Sequence, residues 1–178
     1  MRYYPVVILL FILNACTTPR EKAEGFRINV DVVMKKNDSI QVFYTTDGSI
    51  NFNEIQAFWV KVKGSNKNQT VALEFPKDTV PTQLRIDLGR NRDQDDIVLN
   101  QVKFFYKEKA LEIKGRDIYN YFWLNDSYAT LDRKTGLLRK KVKGQLNGPM
   151  LYPNADNLKH CLIELTSINS NHLPSKRN

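Results

Sequence analysis

Phe26, Ile28, Val30, Val32 and Met34 alternate with Arg27, Asn29 and Asp31. A two-residue period puts all five apolar side chains on one face of an extended chain, which is the pattern of a half-buried strand. The pattern returns at 40–45, at 58–63 (Phe58, Val60, Val62), at 70–75 (Val71, Leu73, Phe75) and at Leu84, Ile86 and Leu88. Further apolar runs at 97–107, 111–114, 118–124 and 137–142 read as strands. Asn37-Asp38, Asp47-Gly48, 64–68, Pro76 and Gly89 supply turn chemistry between them. No βαβ rhythm and no fixed repeat is present, so the spacing predicts an all-β sandwich or barrel.

One late segment changes period. Leu158, Cys161, Leu162, Leu165 and Ile168 fall at helical spacing, with Asp156 or Asn157 placed to cap. A closing helix over 156–168 is expected to cover one end or face of the sandwich. Residues 170–178 are polar and read as a frayed tail.

The start of the chain reads as a targeting signal. Arg2 precedes an apolar run at 6–13, and Leu13-Asn14-Ala15-Cys16 follows. Eight apolar residues rise about 12 Å as a helix, well short of a ~30 Å bilayer core. The tetrapeptide resembles the lipobox of bacterial lipoproteins. The resemblance implies cleavage before Cys16, acylation of Cys16, and a membrane-tethered life in the cell envelope, with inner and outer membrane both open. Residues 1–15 are then signal, 16–25 linker, 26–153 sandwich, 154–169 helix and 170–178 tail. With Cys16 committed to lipid, Cys161 has no partner for an intrachain disulfide and reads as a small buried hydrophobe. Stability must come from core packing.

Charge is uneven. Residues 17–100 carry 12 basic and 12 acidic side chains, whereas 101–178 carry 14 and 7. Arg133, Lys134, Arg139, Lys140, Lys141 and Lys143 form the densest basic stretch. Such a strip suits an anionic lipid, phosphate or acidic glycan, and equally a solvated hairpin. Export excludes nucleic acid as its partner.

The runs Phe43-Tyr44-Thr45, 58–65, Gln69-Thr70-Val71, Phe75-Pro76 and Leu84-Arg85-Ile86-Asp87-Leu88-Gly89 together resemble a β-sandwich module of Bacteroidetes envelope proteins. One version of that module is appended to membrane glycosyltransferases. Asn120-Tyr121-Phe122 and Pro149-Met150-Leu151-Tyr152 fit the same pattern, so the resemblance spans about 26–165. It implies a jelly-roll-like fold, an envelope location and a link to glycans, and it carries over no catalytic residue. The expected fold is therefore an all-β, jelly-roll-like antiparallel β-sandwich with a short C-terminal helix. Asp38-Ser39-Ile40 and Asp78-Thr79-Val80 resemble the O-glycosylation triplets of that phylum, which makes Ser39 and Thr79 candidate acceptors in predicted turns.

Signs of catalysis are absent from the sequence. His160 and His172 lack neighbours at metal-ligand spacing, and no nucleophile elbow or phosphate loop occurs. A glycosidase needs two carboxylates across a cleft, and nothing singles out a pair. No cofactor or metal is expected, and the chain does not read as an enzyme. Aromatic residues are the better lead. Trp59 falls on the same strand face as Lys61 and Lys63, and Tyr119, Tyr121 and Trp123 share a face if 118–124 is a strand. Aromatic rings beside a few polar groups suit a sugar, although lysine stems or the closing helix could equally cover Trp59. The chain reads as a non-catalytic glycan-binding lipoprotein. The alternative is an accessory subunit docking on an envelope glycosyltransferase or transport complex.

Overall fold

A computed structural model describes residues 25–167. The signal, Cys16, the linker up to residue 24, His172 and the tail 170–178 lie outside these residues. Two antiparallel sheets face each other. The larger holds β1 (Phe26–Val33), β4 (Gln69–Glu74), β6 (Ile97–Tyr106), β7 (Lys109–Lys114), β9 (Ala129–Asp132) and β10 (Leu137–Lys140), in the order β4-β1-β6-β10-β9 with β7 also on β6. The smaller holds β2 (Asp38–Thr45), β3 (Ala57–Val62), β5 (Gln83–Leu88), β8 (Phe122–Leu124) and β11 (Met150–Pro153), in the order β3-β2-β5-β11-β8. Most connections cross between the sheets, as the jelly-roll-like expectation requires.

The alternating residues form the core. Ile28, Val30, Val32, Ile40, Val42, Leu84, Ile86 and Leu88 are completely buried between the sheets. In β6 the period slips: Asp31 pairs with Gln101 but Val32 with Leu99, leaving Asn100 as a bulge. That extra residue lets both Leu99 and Val102 point inward. Phe75 gathers the edges of Phe26, Tyr44 and Phe58 with centroids 5.0, 5.4 and 5.1 Å away. Gly148 is required where β11 approaches β5, because a Cβ there would run into the Leu88 carbonyl.

Helix α2 (Ala155–Thr166) closes the sandwich through Leu158, Cys161, Leu162 and Leu165. It starts one residue before the expected segment, with Asn154 at the N-cap position. Lys109 reaches its last turn, donating to the Ser167 carbonyl at 2.7 Å. Among the described residues no helix is long and apolar enough to cross a membrane.

Three sequence expectations are corrected. The stretch 118–124 is not one strand: a 3₁₀ turn (Gly115–Asp117) leads into a single helical turn, α1 (Ile118–Tyr121), before β8. Helical spacing buries Ile118 and Phe122 together, and the amides of Asn154 and Asn157 donate to the Asn120 carbonyl at the end of α1. Tyr119, Tyr121 and Trp123 therefore share no face. The strand expected over 137–142 stops at Lys140, and Val142 is exposed. Ser39 is not in a turn but within β2, opposite Lys61. The strands β9 and β11 were not expected.

Burial pushes the Cys161 thiol and the Tyr119 phenol each up to about 12. Their ordinary values are 9.0 and 10.0. Unfolding frees both to ionise, so the stability they confer is complete below their ordinary values and is lost as the pH rises towards about 12. The melting temperature is expected to fall between about pH 9 and 11. The decline should be shallower in Cys161→Ala, measured by circular dichroism.

Candidate functional site

The two outer faces of the sandwich differ. On the larger sheet, side chains form a solvated ladder: Thr70 donates to Asp31 at 2.6 Å, Lys103 pairs with Glu112 at 3.4 Å, and Lys114 also contacts Glu112. On the smaller sheet, the outward positions of β2, β5 and β11 include Gln41, Phe43, Arg85, Asp87, Met150 and Tyr152. Here Gln41, Phe43, Asp87 and Met150 are buried although they face away from the core. A cleft of about 510 Å³ lies over them.

Strand register arranges these residues in two rows. One row pairs Phe43 with Arg85 and Tyr152 with Trp123. The Arg85 guanidinium lies 4.6 Å from the Phe43 centroid and 4.6 Å from that of Tyr152. Trp123 then stacks on Tyr152 at 4.8 Å and 18°. The result is a continuous stack of ring, cation, ring and ring across β2, β5, β11 and β8. The second row runs from Trp59 through Gln41 and Asp87 to Met150. Arg85 links the rows with a fork onto Asp87, Nε to Oδ1 at 2.8 Å and Nη2 to Oδ2 at 2.6 Å. Burial pushes the Asp87 carboxyl above its ordinary value, and the Arg85 fork opposes this.

Two walls rise from loops. The segment 46–56 folds back over β2. Its base is tied by Thr45 Oγ1 donating to the Ser49 carbonyl at 2.6 Å and by the Gly48 N–H donating to Thr82 Oγ1 at 2.8 Å. Asn53 caps a 3₁₀ turn (Glu54–Gln56), which brings Glu54 to accept from Gln41 Nε2 at 2.8 Å. Phe52 meets Phe43 edge-on at 6.5 Å. The opposite wall holds Asn125, Tyr128 and Asn147. Gln145 Nε2 pins it by donating to the carbonyls of Tyr128 and Asn147 at 2.7 and 2.6 Å. At the β3 edge, Arg90 lies 5.5 Å from the Trp59 centroid. Arg90 is held there through its backbone, whose N–H donates to Asp38 Oδ1 at 2.7 Å.

Of the residues singled out in the sequence, Trp59 lines the cleft and Trp123 lies on the same face just outside it, stacked on the lining residue Tyr152; they are 42 % and 50 % exposed. Lys61 near the end of β3 and Lys63 just beyond it are exposed and do not line the cleft. Tyr119 packs against the core with its hydroxyl buried and unpartnered, and Tyr121 lines a separate groove beside His160 and Cys161. The basic residues are dispersed. Arg133 and Lys134 sit in the β9–β10 turn, Arg139 pairs with Asp96 at 3.1 Å, and Lys140 turns inward to the Asn91 carbonyl at 2.6 Å. Lys141 and Lys143 follow on an exposed loop. Thr79 lies in the tight turn after β4, half-buried, where its N–H bonds the Pro76 carbonyl.

Sequence reading missed Gln41, Phe43, Glu54, Asp87, Met150 and Tyr152 as lining residues. A signal existed for Phe43: it is apolar at an outward position between Val42 and Tyr44. No protein-family model, curated protein or solved structure matches the chain.

Arg85→Met leaves the Asp87 carboxylate buried without its partner and is expected to destabilise the fold by about 3 kcal/mol. The double variant Arg85→Met, Asp87→Leu should regain most of that, because both charges are removed together. Urea denaturation of the three proteins checks this.

Proposed function

We propose that this chain is a non-catalytic glycan-binding lipoprotein of the cell envelope, anchored through Cys16, and that the cleft on the smaller sheet is its binding site. The observation that carries the reading is the row of Phe43, Arg85, Tyr152 and Trp123, set beside Trp59 over a floor of amide and carboxylate groups. Sugars present flat C–H faces and a rim of hydroxyls. Open tryptophan rings take the faces, and groups that both donate and accept take the hydroxyls. The outer face of the larger sheet has no tryptophan among the described residues, and its outward Phe105 lies under the Arg27 and Lys103 cations.

Binding fits the cleft better than hydrolysis does. A glycosidase needs two carboxylates free to exchange protons or attack. Asp87 has both oxygens engaged by Arg85, which removes it from that role. The accessory-subunit reading draws on exposed apolar side chains, chiefly Ile55 at 93 % and Val142 at 63 %. Single exposed apolar residues are ordinary on protein surfaces, so they carry less weight than an organised cleft. The likeness to the Bacteroidetes module, the lipobox and the glycan link of that module agree with the first reading.

Trp59→Ala and Trp123→Ala are each expected to weaken binding to envelope polysaccharide about tenfold, the worth of one lost ring contact, with unchanged melting. Surface plasmon resonance on immobilised polysaccharide measures it, and unchanged affinity in both variants would remove the cleft from consideration. Separately, Cys16→Ser should move the protein from the membrane fraction to the soluble fraction after osmotic lysis. Retention in the membrane would count against the lipid anchor.

A further inference from the structure

Resting on the glycan reading, we propose that the cleft, continued past Tyr152 by the Trp123 ring stacked on it, takes an extended neutral oligosaccharide that crosses the strands from the Trp59 edge to the Trp123 edge, with its middle units read by the Arg85–Asp87 pair.

Length follows from the sheet order. Trp59 is on β3 and Trp123 on β8, the two edge strands, with β2, β5 and β11 between them. Four inter-strand steps place the two indoles about 19 Å apart across the sheet. One sugar ring cannot touch both, whereas a chain of several units laid across the strands can. The rings between them are not free to stack. Arg85 occupies a face of Phe43 and a face of Tyr152, and Trp123 occupies the other side of the Tyr152 stack. Stacking is thus confined to the two ends, and the middle of the ligand meets polar groups.

Neutrality follows from the charges. The ionic groups lining the cleft are Arg85, Arg90, Asp87 and Glu54, which sum to zero. Arg85 already carries its counter-charge in Asp87, and Arg90 stands at the wall over Trp59 rather than on the floor. A uronate or phosphate entering the middle would approach two carboxylates without an unmatched cation to receive it. Hydroxyl pairs suit the same place, since a carboxylate accepts from them and a guanidinium donates to them. Gln41, Asn125 and Asn147 extend that capacity on either side.

The test is isothermal titration of the full lipidated protein in detergent micelles. The probes are cellohexaose, mannohexaose and xylohexaose, their disaccharides, and hexagalacturonate. At least one neutral hexasaccharide is expected to bind tenfold or more tighter than its disaccharide and than hexagalacturonate. Trp123→Ala, on an exposed edge, should lower the hexasaccharide affinity about tenfold and the disaccharide affinity less than twofold. Hexagalacturonate binding as tightly as the neutral chains overturns the neutral class, and equal affinity for hexasaccharide and disaccharide overturns the extended mode. Either result leaves the glycan reading standing. Failure of all hexasaccharides while envelope polysaccharide still binds overturns this inference alone, and failure of both removes the glycan reading with it.

Discussion

The outer face of the smaller sheet depends on the ion pair between Arg85 and Asp87. Strand β5 lies in the middle of that sheet, so neither charge can escape to an edge. Their side chains are 17 % and 10 % exposed, and a charge so sheltered is tolerated only when paired and hydrogen-bonded. The planar fork of Arg85 meets both carboxylate oxygens, which a lysine could not do. Its two π-faces are then free for Phe43 and Tyr152. A single guanidinium thereby neutralises Asp87, fixes two aromatic rings and, through Tyr152, sets the position of Trp123. Buried outward residues and the open indole share one cause.

The two sheets solve opposite problems with the same alternation. The larger sheet alternates apolar and charged residues, and its charged side faces water in cross-strand pairs such as Lys103 with Glu112. Pairs of that kind are individually weak, and such a face requires no cover. The smaller sheet places Phe43, Met150 and Tyr152 at outward positions, where water is a poor neighbour. The loop 46–56 partly covers them through Phe52 and Glu54 but stops short of β11 and β8. The incomplete cover is what makes a cleft, and an incompletely covered polar-aromatic surface is where ligand contact has most to gain.

Much of the fold was legible because inner-face alternation survives in every long strand, from Phe26 to Leu88, and because helical spacing marks Leu158 to Leu165. The parts that escaped are short or set by distant contacts. Segment 118–124 has strand-like alternation, yet Asn154 and Asn157, at the cap and first turn of helix α2, donate their amides to the Asn120 carbonyl and stabilise a helical turn there instead. Strands β9 and β11 span four residues each, too few for a period to be read. Trp59 and Trp123 were legible as surplus aromatics. Asp87 and Tyr152 were not, because their meaning lies in strand order: β11 joins β5 across more than sixty residues of chain, and only that pairing puts Tyr152 on Arg85. The basic run divides in space for a related reason. Consecutive strand residues point to opposite faces, so Arg139 finds Asp96 while Lys140 turns in to bond the Asn91 carbonyl.

The walls of the cleft are loops, but side chains tie their backbones down. Asn53 caps one, Gln145 staples another, and Asp38 accepts from the N–H groups of Ser39, Arg90 and Asn91 while Gln94 bonds its second oxygen. Gln94 also exchanges two bonds with the backbone of Lys36, accepting from its N–H and donating to its carbonyl, and Lys140 closes the set by donating to the Asn91 and Gln145 carbonyls. None of these bonds needs a ligand to form. The loop conformations that hold Glu54, Arg90 and Asn147 at the cleft are therefore ordered during folding, and their entropy is not charged against binding. For a hydroxylated ligand, whose own bonds to water offset most of what the protein can offer, that prior ordering decides whether a shallow site binds at all. It also separates roles along the chain: Asp38, Gln145 and Lys140 hold the loops in place, whereas Trp59, Arg85 and Asp87 line the cleft and Trp123 stacks beyond it on Tyr152.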